Sequence, residues 1–253
     1  FHLEAYGETT VNYNRDIEIF PVLNAIFEGI YGENPYKSPT DMGVNMVGAC
    51  IVDDEVCCDA SKMEIIRRYY TTLNRVVDEE AEENEVYKIE VLMKQAKITT
   101  DDRKVTVAAK KRAEELSVPT AAVELSDGMI ITSKTTDLLG ASAALLLNAL
   151  KYLGGVEHDT HLISPVAIEP IQELKVKYLG GKNPRLHTDE ILIALSISAL
   201  TDRNARIALE QLPKLKGCQI HTSVMLSEVD IKIFKRLGVD LTSEPIKKGK
   251  KLY

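Results

Sequence analysis

Apolar residues recur every three or four positions through the first 117 residues, and past Pro119 the period shortens to two. Ile19, Val22, Leu23, Ile26, Phe27 and Ile30 share one face of a predicted helix that Asn12 or Asn14 can cap and Pro21 can bend. Ser38 before Pro39 sets an N-cap ahead of a residue preset for the first helical position, so SPTDMGVNMVGACIV opens a second helix. A third runs from Lys62 to Val77 with the stripe Ile66, Tyr69, Tyr70, Leu73 and Val77. Asp78 to Glu85 holds six acids in eight residues and reads as a solvated connection or a cation site. The stripe Val86, Ile89, Met93 and Ala96 follows, and Thr100 or Asp101 caps a last segment reaching Leu116.

Ala121, Val123 and Leu125 then alternate with polar or small neighbours, Asp127-Gly128 is a hairpin signal, and Met129 to Thr132 is the returning strand. Asp137 to Leu153 predicts a helix that is apolar nearly all round and therefore buried on most faces. His161 to Ile163 reads as a short strand, and Ser164-Pro165 starts a helix towards Tyr178. Asp189 to Leu200 and Arg203 to Leu212 are helices, Gln219 to Val224 a strand, Ser227 to Gly238 a capped helix and Val239 to Thr242 a final strand. The expected fold is mixed α/β, with a helical subdomain over 1–117 and a layered α/β subdomain over 118–253.

Length and charge narrow the class. At 253 residues with 45% hydrophobic and 27% charged side chains, the chain fits one or two globular domains. Its 31 basic and 38 acidic groups give −7, which argues against a compact nucleic-acid binder, and no run of eighteen apolar residues argues against a membrane span. Cys50, Cys57, Cys58 and Cys218 are too few and irregular for a disulfide framework, so a cytoplasmic location is expected. His158 and His161 make an H-x-x-H spacing without paired cysteines, which favours a solvent role over metal. The chain opens on Phe1 and is read as a piece of a longer protein.

Long strings carry a resemblance. FHLEAYGETTVNYNRDIEIFPVLNAIFE, SPTDMGVNM, EIIRRYY, LLGASAALLLNALK, NPRLHTDEILIALSI, LEQLPKLKGC and LGVDLTSEP, with the short ISP, resemble a bacterial family called domain of unknown function 1846, across essentially the whole chain. That resemblance implies a protein about twice this long, of which this chain is the C-terminal half and a P-loop-like front half is missing. It also implies a helical subdomain followed by an α/β subdomain similar in topology to the cytidine deaminase fold. The zinc chemistry of that fold uses a P-C-x-x-C motif, and no proline here precedes a cysteine. The resemblance carries over no settled activity and identifies no cofactor.

Three polar clusters remain as candidate chemistry. Thr132, Ser133, Lys134, Thr135, Thr136 and Asp137 precede a predicted helix start, where unpaired N–H groups and an ammonium suit an anion; ordinary capping explains the same residues. Lys37, Ser38, Thr40, Asp41 and Asn45 surround another start, with Asp41 and Asn45 four apart on one face, and Arg15 in NYNRD joins this polar set. In NPRLHTDE, Thr188 serves as N-cap and Asp189 and Glu190 as first-turn acids, which leaves Arg185 for an anion and His187 as a candidate acid or base; Asp41 is the other candidate catalytic residue.

The expected function is therefore binding of a small phosphorylated or nucleotide-like ligand by a cytosolic bacterial enzyme. Lys37, Lys134 and Arg185 would converge on a cleft completed by the missing N-terminal half. The rival is a non-catalytic module whose apolar helix at 138–153 assembles a homo-oligomer. Neither reading involves nucleic acid or membrane.

Overall fold

A computed structural model describes residues 13–36 and 54–247. The chain forms a mixed α/β fold of two compact units. One unit takes residues up to Thr72 together with Glu79–Asp102, and the other takes Leu73–Asp78 with Arg103 onward. Among the described residues, no helix is long and apolar enough to cross a membrane.

The first unit is helical. It contains α1 (Tyr13–Tyr31), most of α2 (Asp54–Val77) and α3 (Glu83–Gln95). The acids Glu83 and Glu85 occupy the first turn of α3, where the helix dipole favours negative charge, and Val86, Ile89, Leu92 and Met93 form its buried stripe. On α2, Ile65, Ile66 and Tyr70 are buried at the same helical spacing.

The second unit is built on a four-stranded sheet in the order β2-β1-β3-β4. After α4 (Lys104–Leu116) come β1 (Thr120–Glu124) and β2 (Ile130–Lys134), antiparallel partners joined by a tight turn. At that turn Gly128 takes a φ of 80°, and the Asp127 carboxylate accepts the Met129 N–H at 3.0 Å. β1 pairs antiparallel with β3 (Gln219–Thr222), which pairs parallel with β4 (Asp240–Ser243) across α9 (Glu228–Arg236).

Strand alternation sorts the sheet's neighbours. Ala121 and Val123 face the large core with α5 (Ala141–Leu153), whereas Ala122 faces Val105 and Ala109 of α4 on the other side. Behind α5 pack α7 (Thr188–Ser198) and α8 (Arg203–Leu209), and Leu145, Leu146 and Leu150 are almost fully buried. Each such leucine contributes about 2 kcal/mol of burial. Fully buried Arg103 donates from Nη2 to the carbonyls of Asp240 at 2.6 Å and Ile220 at 3.3 Å, tying the start of α4 to β4 and β3.

Two sequence expectations are corrected here. The helix expected from Asp137 begins at Ala141, because Leu139 forms a bridge with Leu186 instead: the Leu186 N–H donates to the Leu138 carbonyl at 3.0 Å and the Gly140 N–H to the Leu186 carbonyl at 3.2 Å. His161 to Ile163 is not a strand; Leu162 and Ile163 drop into the core and lead straight to Pro165 at the start of α6 (Pro165–Glu173), which a π turn over Leu174–Tyr178 extends.

Candidate functional site

A cavity of about 460 Å³ opens at the free edge of β2, wholly within the second unit. Thr132 and Lys134 come from the edge strand and Arg112 from α4. From α5 come Ala144, Leu147, Asn148 and Lys151, whose spacing puts them on one helical face. His158 and His161 stand on the loop beyond α5, and Ile168 of α6 lies opposite.

Three cationic side chains and two histidines thus line this space, and no aspartate or glutamate is among the lining residues. Arg112 also pairs with Glu115 at 3.3 Å, both of them largely in solvent. Lys151 donates to the His158 carbonyl at 2.8 Å. Burial pushes its ammonium pKa down, with the charge of Asp159 opposing.

The hairpin supplies further donors. Leu125 pairs with Met129 and Thr135 donates to the Pro119 carbonyl at 2.8 Å, which fixes the odd-numbered residues of β2 as those bonded to β1. The main-chain N–H groups of Thr132 and Lys134 therefore point to the open edge. Asn148 Nδ2 donates to the Thr132 carbonyl at 3.4 Å, and the Ser133 hydroxyl, facing the other way, donates to the Ala141 carbonyl at 2.7 Å.

The expected cradle at residues 132–137 is thus a strand edge and loop rather than a helix start. Lys134 and Thr136 line the cavity, while Thr135 uses its N–H within the sheet extension. Arg185 adjoins them, its Nε donating to the Thr136 carbonyl at 2.6 Å. Lys134, Thr136 and Arg185 are accordingly brought to one neighbourhood. Lys37, Ser38, Thr40, Asp41 and Asn45 lie outside the described residues, and Arg15 belongs to α1 with only its backbone described.

His187 occupies the N-cap of α7, a place expected for Thr188. Its N–H donates to Glu190 Oε2 at 2.7 Å, and Lys175 Nζ reaches the same oxygen and the Arg185 carbonyl, each at 2.8 Å. Its ring Nδ1 sits 3.2 Å from Asp230 Oδ2, and the Ser227 hydroxyl donates to that oxygen at 2.9 Å. Burial pushes the Asp230 carboxyl upward, but hydrogen bonds from His187 and Thr188 and the charge of His187 outweigh it and hold it well below the ordinary range. This arrangement suits a histidine held in one orientation by a buried carboxylate.

Sequence reasoning missed Arg112, Lys151 and Asp230. Asp230 stands four residues before fully buried Phe234, so it falls on the apolar stripe of its helix, where a carboxylate signals a buried partner. Lys151 breaks an otherwise apolar helix on the face of Asn148. Among the described residues, no three His, Cys, Asp or Glu side chains gather as a metal site.

The chain matches two family descriptions: "Domain of unknown function DUF1846, N-terminal" over residues 1–97 and "Domain of unknown function DUF1846, C-terminal" over 101–253. It is similar to proteins named UPF0371 protein. One from Corynebacterium aurimucosum is 55% identical over 97% of this chain and 49% of its own length. Another from Corynebacterium urealyticum is 53% identical, and one from Streptococcus pyogenes serotype M1 is 52% identical, each over 100% of this chain and 51% of the relative. The chain spans about half the length of these curated relatives. Both named family parts fall within it, so the expectation that it holds only the back half is not supported.

Proposed function

Taking as premise that this chain belongs to the DUF1846 family, we propose that its second unit binds a small phosphorylated or nucleotide-like metabolite in the cavity at the β2 edge. One observation carries the reading: Arg112, Lys134 and Lys151 line a single space whose lining holds no carboxylate. An anion entering this space meets three positive side chains at once, so the site favours negative charge. The outward edge of β2 adds the N–H groups of Thr132 and Lys134 as donors beside their own carbonyls, the Thr132 carbonyl being taken up by Asn148. Arg185 positions the loop that ends the strand, and His187 stands one residue beyond Leu186, the residue bridged to Leu139 of the cavity wall.

Calorimetric titration of the chain with inorganic phosphate and with adenosine monophosphate tests the reading. Binding that weakens by about tenfold in Lys134→Ala and again in Arg112→Ala is expected. Affinity in both variants unchanged from that of the unaltered chain, or no uptake of either compound, overturns it.

The rival reading, assembly through the apolar helix, loses its motive. Ala143, Leu145, Leu146, Ala149 and Leu150 of α5 are all buried within the second unit, against the sheet and the helices behind it.

A further inference from the structure

The cavity has a second wall of opposite character. Leu138, Leu139, Leu147, Leu162, Ile163 and Ile168 line it alongside the cations. Leu162, Ile163 and Ile168 are buried in the main core and form a fixed surface, whereas Leu138 and Leu139 are half-buried on the loop that ends the hairpin. A bare phosphate ion satisfies the cationic side and leaves this apolar side facing water. The volume of about 460 Å³ falls in the range of pockets that hold whole small molecules, roughly 300–1,000 Å³.

We infer that the ligand is a phosphate monoester with an uncharged apolar body, aryl or alkyl, rather than one with a hydroxylated body. This rests on the anion reading above. The phosphoryl group meets Lys134 and Arg112 and the N–H groups of Thr132 and Lys134, and the organic group lies over Leu138, Leu147 and Ile168. Burying that group removes apolar surface from water on both ligand and wall, a gain that a sugar or glycerol body laid over the same leucines forgoes because its hydroxyls would lose water there.

The test titrates the whole chain with inorganic phosphate, phenyl phosphate and glycerol 3-phosphate. Phenyl phosphate is expected to bind at least about tenfold tighter than the other two. Lys134→Ala weakens all three, and Leu138→Asn removes the phenyl advantage, with circular dichroism reporting that this variant is folded. Equal affinity for all three ligands, or a phenyl advantage that survives Leu138→Asn, overturns the apolar-body inference and leaves the anion reading standing. No binding of any of the three overturns the anion reading itself. Should Leu138→Asn fail to fold, the three-ligand series on the unaltered chain still decides.

Discussion

Asp230 closes the start of a helix that is not its own: one of its carboxylate oxygens accepts the Thr188 N–H at 3.0 Å and the Thr188 hydroxyl at 2.8 Å. Thr188 and Asp230 are both fully buried, and the other carboxylate oxygen serves Ser227 and His187. Removing the carboxylate strands all of these groups. Asp230→Ala is expected to cost about 3 kcal/mol, read as a lower urea midpoint. A loss under about 1 kcal/mol would refute the role.

The same residue sets an acid limit. Its folded pKa lies below the ordinary value of 3.8, so its contribution is complete above that value and is lost as pH falls through it towards the folded value. Urea midpoints taken between pH 5 and pH 3 should fall less steeply in Asp230→Asn than in the unaltered chain. Parallel slopes would contradict this.

His221 predicts a second pH dependence. Its ring is fully buried, with Nδ1 2.8 Å from the Thr242 hydroxyl and Nε2 3.2 Å from Glu244, which also pairs with Lys110 at 3.3 Å. Burial lowers its pKa below 6.5, against the pull of Glu244 and with the charges of Arg103 and Lys110. The unfolded chain then binds the proton first, so stability is highest above pH 6.5 and declines as pH falls below it. In His221→Gln the drop in urea midpoint between pH 7.5 and pH 5.5 should shrink; an unchanged drop would assign it elsewhere.

Arg185 is a positioning residue. Arg185→Ala removes the bond to the Thr136 carbonyl and is expected to cost about 1 kcal/mol of stability. Phosphate affinity should fall by less than the loss in Lys134→Ala. A larger loss than in Lys134→Ala would place the guanidinium on the ligand itself.

Gly128 supports the hairpin through its positive φ. Space is open around a Cβ there, so Gly128→Ala reports conformation alone. A destabilisation of about 1 kcal/mol is expected, measured by thermal unfolding.

Local chemistry made much of the second unit legible. Asp127-Gly128 announced the hairpin, and Ser227, whose hydroxyl accepts the Asp230 N–H at 3.3 Å, announced α9. Competition between distant segments was not legible. The stretch from Asp137 to Gly140 has the composition of a helix start, yet Leu186 claims Leu138 and Gly140 as backbone partners. The site was half visible: Lys134 and Arg185 stood out as cations near turns, while Arg112 and Lys151 lie on helix faces and acquire meaning only when the sheet edge meets them. His187 drew notice for its titration, but its partner sits 43 residues away on another helix.

The alternation along β2 has a bearing on how this protein tolerates length changes. Because Thr132 and Lys134 share one face of β2 and turn their N–H groups to the open edge only by virtue of an even count from the hairpin, inserting one residue inside the strand would move the Lys134 side chain to the opposite face of the sheet and turn its N–H toward β1. Extra residues placed in the turn itself leave that parity intact. Redesigns and natural length variants should therefore concentrate at positions 126–128, sparing the strand.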